Sequence, residues 1–370
     1  MAENSRQQWT QYDIMHGERR VAVIARNGVC RVEDSLGMPY HLYLEEGIDL
    51  DIQIQNLDNF YHWCASRVLM LDRQYAKEIL NSIGAVQGTT DKARAEVALS
   101  YHCLSLLDIY WVKEASETVT FKEMNLYENR LDAAFVDVSL RGRQMTIEHS
   151  HLIAEDLSTP GCFPKAWVRR GDAFYLLKDG GVDAVFKELL ASKICRCFWC
   201  HQVLYEREDF EGQSVTVSRL MTSLDKSIVP MEHFAIYAAN REIDKMQFVL
   251  ELDGYSYYMM NILDYLVGNT DRHWGNWGFL VDNRTNQPLR LHDLMDFNRA
   301  FEAYDRIEGA NCLTTKQKMT QLEAAVEAVK KVGLNQIMPV QESWFENRGM
   351  WELFQARLEQ LVAVEKQCKK

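Results

Sequence analysis

The chain has no apolar run approaching the roughly 18 residues that a membrane-spanning helix needs, and residues Met1 to Gln8 carry neither the basic block nor the apolar block of a signal peptide. Both absences lead to the expectation of a cytoplasmic protein. Cysteine is sparse, nine in 370 residues at irregular spacing, which excludes a disulfide scaffold and fits reduced thiols. Proline numbers only six, and there is no Pro-rich linker, repeat or low-complexity tract, so domain boundaries must be taken from motif positions. Basic residues are also in deficit, with 41 Lys and Arg against 53 Asp and Glu and a formal charge of −12. That balance argues against nonspecific nucleic-acid binding and against tight docking on anionic membranes, both of which need clustered cations. What the chain has in quantity is hydrophobic sequence, 47% with 11% aromatic, enough for a sizeable core in two or three lobes.

The patterning changes along the chain. Short β-like stretches such as Arg20 to Ala25 open it, and helical periodicity follows over Leu57 to Ser82 and Asp91 to Leu107. From about Ala134 strands dominate: Phe135 to Leu140, Ala166 to Arg169, Ala173 to Lys178 and, after a helical Val182 to Cys200, Ser214 to Met221. From Met231 onward the signal is mainly helical and is interrupted over Asn269 to Phe301. The last helices are strongly patterned through Gln317 to Val332 and Trp351 to Val364.

The interruption carries the chemistry. It reads Leu266-Val267-Gly268-Asn269-Thr270-Asp271-Arg272-His273-Trp274-Gly275-Asn276-Trp277, and further on Leu291-His292-Asp293-Leu294-Met295-Asp296-Phe297-Asn298. Between them, β-like Trp277 to Val281 and Leu289 to Leu291 flank turn residues Asp282 to Pro288, which predicts a hairpin that brings Asn276 and Asp296 together. An Asp, an Asn five positions on and a second Asp beyond a hairpin suit phosphoryl transfer, where catalysis is mainly positioning and charge neutralisation. Asp271 would orient and deprotonate an acceptor hydroxyl. Asn276 and Asp296 would offer the few hard oxygen ligands that Mg²⁺ prefers.

Asp271-Arg272-His273-x-x-Asn276 with the later Asp296-Phe297 is similar to the catalytic and metal-binding loops of phosphoinositide-type kinases. With Gly268 to Asp271 in front, it resembles still more closely the HipA-like serine/threonine kinases. The resemblance implies an α+β, bilobal, protein-kinase-like fold. Residues 1–133 would form a mixed, largely helical accessory region, 134–225 a β-rich nucleotide-binding lobe, and 226–370 a helical catalytic lobe. It implies ATP and Mg²⁺ as cofactors and a protein as acceptor, with a lipid or small-molecule kinase and a nucleotide-binding pseudokinase scaffold as the alternatives. His273 is implied as a scaffold that bonds the backbone or the second Asp. Arg272 reads equally as a phosphate holder or as half of a structural ion pair, and Trp274 and Trp277 read as packing.

The same resemblance extends upstream. Leu157 to Lys165 looks like the Ser-x-x-Gly-x-x-x-Lys phosphate loop, which assigns Ser158, Gly161 and Lys165 to the nucleotide; Ser158 then reads either as a site of autophosphorylation, as the resemblance implies, or as a turn-forming Ser before Thr-Pro. Pro160 and Pro164 depart from the pattern because they remove N–H donors. Lys178 at the end of the next strand would contact ATP phosphates, with Glu188 as its ion-pair partner and Glu155 and Glu206 as competitors. Adenine is expected beside the segment ending in Leu220 and Met221. Leu104 to Lys113 and Asn125 to Asn129 resemble a stretch that precedes the kinase domain in bacterial relatives. By contrast Cys195-x-Cys197-x-x-Cys200-His201 lacks a second Cys-x-x-Cys pair and reads as buried thiols rather than a zinc site.

Overall fold

The structure is a computed structural model that describes residues 11–68, 90–129, 165–178, 181–210, 212–302 and 304–369. The expected strand at Phe135 to Leu140 and the phosphate-loop residues Ser158 and Gly161 lie outside these. The chain gathers into two compact units: one comprises Met1–Val168, Thr222–Ser227 and Asp282–Gln287, the other Arg169–Met221, Ile228–Val281 and Pro288–Lys370.

The first unit holds strands β1 (Gln11–His16), β2 (Arg19–Ala25) and β3 (Cys30–Val32), helices α1 (Leu50–Ala65) and α2 (Asp91–Ser100), strand β4 (Tyr110–Glu114) and the single turn α3 (Phe121–Met124). Its sheet runs β3-β2-β1-β4, antiparallel throughout. Val21, Ala22 and Ile24 of β2 are buried, as are Phe60, Trp63 and Cys64 of α1. The helix expected over Asp91 to Leu107 stops at Ser100 because His102 and Cys103 adopt φ of 60° and 55°, a left-handed conformation that no helix continues through.

Strand β5 (Lys165–Arg170) leads into the second unit, followed by β6 (Ala173–Lys178), α4 (Gly181–Cys195), β7 (Tyr205–Phe210), β8 (Gln213–Arg219), β9 (Lys226–Pro230), α5 (Met231–Asn240), α6 (Lys245–Val267), β10 (Gly278–Asp282), β11 (Gln287–Leu291), α7 (Gln321–Val332) and α8 (Arg348–Cys368). Strands β5-β6-β8-β7 form one sheet and β11-β10-β9 another. Strand β7 was not anticipated, because Tyr-Glu-Arg-Glu-Asp-Phe is too charged to read as a half-buried strand. It exists because it pairs residue for residue with β8, Tyr205 opposite Ser218 through Phe210 opposite Gln213.

Helix α6 is the spine of this unit, buried continuously from Met259 to Val267. It is interrupted at Asp253 (φ −155°, ψ 58°), whose carboxylate accepts from the Ser256 and Leu291 amides and so ties the helix to β11. Amphipathic α7 starts at a Thr320–Glu323 capping box, and its buried face is Ala324, Ala325, Ala328 and Val329. The close approach of β9 to β10 depends on Gly278, where a Cβ would sit 2.2 Å from the Val229 carbonyl oxygen. Among the described residues no helix is long and apolar enough to cross a membrane.

Candidate active site

Sheet register assembles the first half of the site. Lys178 lies opposite Thr216 and Tyr205 opposite Ser218 in antiparallel ladders, and directly opposed residues share a face. Thr216 and Ser218, two apart, are on the same side. Lys178, Thr216, Ser218 and Tyr205 therefore form one face, and all four are buried. Helix α4 packs onto this sheet and presents Glu188 and Ser192, one turn apart. The Glu188 carboxylate accepts from Lys178 Nζ at 2.9 Å and from the Thr216 hydroxyl at 2.6 Å, and the Ser192 hydroxyl accepts the Tyr205 amide at 3.5 Å. Glu188 thus sits where the sequence expected Lys178's partner, while Glu206 is exposed.

The second half starts where α6 ends. Gly268 closes the helix in the left-handed conformation (φ 60°), with its amide and that of Asn269 returning to the Tyr265 and Asp264 carbonyls. A Cβ on Gly268 would meet the Tyr304 ring at 2.5 Å and Arg357 Nη1 at 3.1 Å. Arg357 is fully buried, donates to the Tyr265 and Arg306 carbonyls, and stacks on the rings of Tyr265 and Tyr304.

From that fixed point the loop is held by Arg272, which is 2% exposed. Its Nε and Nη2 donate to the two carboxylate oxygens of Asp264 at 2.9 and 3.0 Å, and Nη1 donates to the Asn276 carbonyl at 2.9 Å and the Met295 carbonyl at 2.6 Å. Burial by itself would lower the guanidinium pKa, but Asp264 outweighs it and the group stays above its ordinary value. Asn269 adds a bond to Asp264 at 3.0 Å and takes the Asp271 amide at 3.2 Å. Arg272 is accordingly a structural ion pair and not a phosphate holder, since each of its terminal nitrogens is committed to the protein. It clasps the residue before Asp296 and the backbone of Asn276 on one nitrogen, which is how the two loops flanking the β10–β11 hairpin come side by side.

Asp264 and Asn269 were missed in the sequence. The available signal was a charged residue in the mostly apolar Met259 to Val267, which stays buried only when paired. Arg272→Met, which strands Asp264, is expected to lower the unfolding free energy by roughly 3–5 kcal/mol. Urea unfolding measures it, and a loss below about 1 kcal/mol would show the pair to be dispensable.

The chemistry-bearing side chains now have defined surroundings. The half-buried Asp271 carboxylate accepts no hydrogen bond from the described residues. Asn276 commits its Nδ2 to the Asp271 carbonyl at 2.8 Å, so Oδ1 is the end available to a cation. The Asp296 carboxylate lies 3.2 Å from Lys178 Nζ. Burial would lower the Lys178 pKa, yet the Asp296 and Glu188 carboxylates overcome it and hold the ammonium charged. The oxygen set of Asn276 and Asp296, with Asp271 nearby in sequence, fits a hard divalent cation.

His273 is exposed. Its Nδ1 accepts the Gly275 amide at 3.0 Å, a bond within the loop, and among the described residues its ring makes no hydrogen bond to Asp296. Leu220 gives its N–H to the Phe174 carbonyl at 2.9 Å, whereas Met221 beside it is half-buried and its backbone makes no hydrogen bond among the described residues. Lys165 is described only as the first residue of β5. The cysteine run is accounted for otherwise: α4 ends at Cys195, Cys197 Sγ points to the Lys193 and Pro339 carbonyls, and Cys200 Sγ to that of Cys195. Burial pushes the Cys200 thiol up to about 12, far from the thiolate that a metal or an electrophile requires.

No protein-family model and no curated protein matches the chain. Among the solved structures that resemble it are two from bacteria. One is a proinflammatory kinase of Helicobacter pylori, CtkA, at TM-score 0.46 and 12% identity, covering 57% of this chain and 92% of that one. The other is HipA of Shewanella oneidensis MR-1, determined with HipB and operator DNA, at TM-score 0.46 and 10% identity, covering 96% of this chain and 97% of that one.

Proposed function

We propose that the protein is an ATP-dependent phosphotransferase that moves the γ-phosphoryl group onto a hydroxyl, with a protein serine or threonine as the acceptor. The observation that carries this reading is the Lys178 ammonium, anchored on Glu188 at 2.9 Å and 3.2 Å from the Asp296 carboxylate, 118 positions away in the chain. A strand lysine fixed by a helix glutamate beside an acidic loop residue, with an Asp and Asn on the adjoining loop, is the part list of phosphoryl transfer.

In this reading the Asp271 carboxylate takes the acceptor's proton. The hydroxyl oxygen forms its bond to the γ-phosphorus as the bond to the β–γ bridging oxygen breaks, and ADP leaves. Asn276 Oδ1 and Asp296 would hold Mg²⁺, which when bound withdraws charge from the β- and γ-phosphates. Lys178 supplies a further positive charge to the phosphates, with Ser158, Gly161 and Lys165 proposed as their cover and Ser158 as a residue that is itself phosphorylated. Because Leu220's amide is spent on Phe174, the Leu220 carbonyl and the backbone of Met221 are the parts of that segment left to read adenine.

Incubation with labelled ATP tests the proposal. Phosphate is expected on serine or threonine by mass spectrometry, and chelation with EDTA should abolish incorporation. Transfer confined to an added lipid or sugar would change the acceptor class, while the absence of both transfer and metal-dependent nucleotide binding would overturn the reading.

A further inference from the structure

The peptide unit joining Met295 to Asp296 is clamped at both ends. Its carbonyl accepts from Arg272 Nη1 at 2.6 Å, and its N–H donates to the Tyr205 hydroxyl oxygen at 3.0 Å. Asp296 itself has φ of +62°, a left-handed conformation that is strained for a non-glycine residue and persists only where the surroundings impose it. Rotating this peptide plane would break both bonds at once and turn the chain leading into the Asp296 carboxylate. Tyr205 comes from β7, is 4% exposed, and its ring lies 5.2 Å from Lys178 Nζ. Nothing in the motif that contains Asp296 announces it, since the two residues are 91 positions apart.

We infer that Tyr205 is a positioning residue for the metal-binding carboxylate: its hydroxyl holds the Met295–Asp296 peptide against rotation, so that Asp296 meets a divalent cation without first reorganising. This deepens the phosphotransferase reading and rests on it. Tyr205→Phe keeps the ring beside Lys178 and removes only the acceptor oxygen. A buried amide left without its partner should rotate or solvate more readily, so the Mg²⁺ concentration for half-maximal activity at saturating ATP should rise about tenfold. The rate at saturating Mg²⁺ should change by less than about twofold, because the carboxylate, once seated, has the same contacts. Simple loss of packing would not separate these two quantities.

The test has a second arm that does not depend on activity. In the wild-type protein the Asp296 amide should exchange slowly with solvent, and Tyr205→Phe should speed that exchange about tenfold or more while the Val267 and Phe279 amides keep theirs. Fast exchange in the wild type overturns the clamp even if Tyr205→Phe does not fold. An unchanged Mg²⁺ requirement in a folded Tyr205→Phe overturns its role in metal binding. Should the wild-type protein bind no Mg·ATP while the Asp296 amide is protected and depends on Tyr205, the catalytic reading fails and the clamp survives as a feature of the fold.

Discussion

Asp271→Asn should lower the rate of phosphoryl transfer by about 10²–10⁴, the usual contribution of a positioned general base, and leave ATP affinity within a few-fold of wild type. Asp296→Ala should abolish transfer and also weaken metal-dependent nucleotide binding. The two substitutions separate because the two carboxylates have different surroundings. Asp271 accepts no hydrogen bond from the described residues, and its amide is held by Asn269, so exchanging its carboxylate for an amide removes a proton acceptor and little else. Asp296 answers Lys178 at 3.2 Å, so its loss would remove the proposed cation ligand and also a partner of a buried ammonium. Rates from labelled ATP and affinities from calorimetry with and without Mg²⁺ make the comparison. Equal rates for all three proteins would remove both residues from the chemistry.

Lys178→Met should destabilise the second unit strongly. It leaves Glu188, 2% exposed, facing Asp296 with no positive charge between them, and breaking a buried pair from one side typically costs about 3–5 kcal/mol. The asymmetry provides the check. Lys178→Met combined with Glu188→Leu no longer strands a carboxylate on α4, so it should recover more than half of that loss in urea unfolding while remaining inactive. If the double substitution is no more stable than Lys178→Met alone, the network does not hold the sheet to the helix in this way. Transfer activity should be absent from both, since Lys178 is the ammonium nearest Asp296 among the contacts described.

The parts of the site that could be read from the sequence are those whose chemistry is written in local spacing. Asp271 and Asn276 are five apart in a loop, and Asp296 follows a hairpin whose turn residues are evident in Asp282 to Pro288. The structure has that hairpin as β10 and β11. Helix α7 was legible as Gln317 to Val332 because its apolar positions recur at helical period, though the start moved to Gln321 once Thr320 took the capping position. The strands ending at Lys178 and near Arg219 were visible for the same reason, as alternating or β-branched runs.

What could not be read depends on partners remote in the chain. Tyr205 sits in a charged segment that becomes a strand only by pairing with β8. Arg272 offered two readings of equal weight until Asp264 and the Met295 carbonyl took up its nitrogens, and His273 turned out to serve the loop's own backbone.

By itself the amino-acid sequence determined which functional groups are present and which of them fall within one loop, because an Asp and an Asn five positions apart constrain each other through covalent distance alone. Tertiary structure alone decided which charges neutralise which, and which way the Met295–Asp296 peptide faces. Those outcomes follow from burial: once Arg272, Asp264, Lys178 and Glu188 leave water, each must find a partner, and only the packed chain determines which partner is within reach.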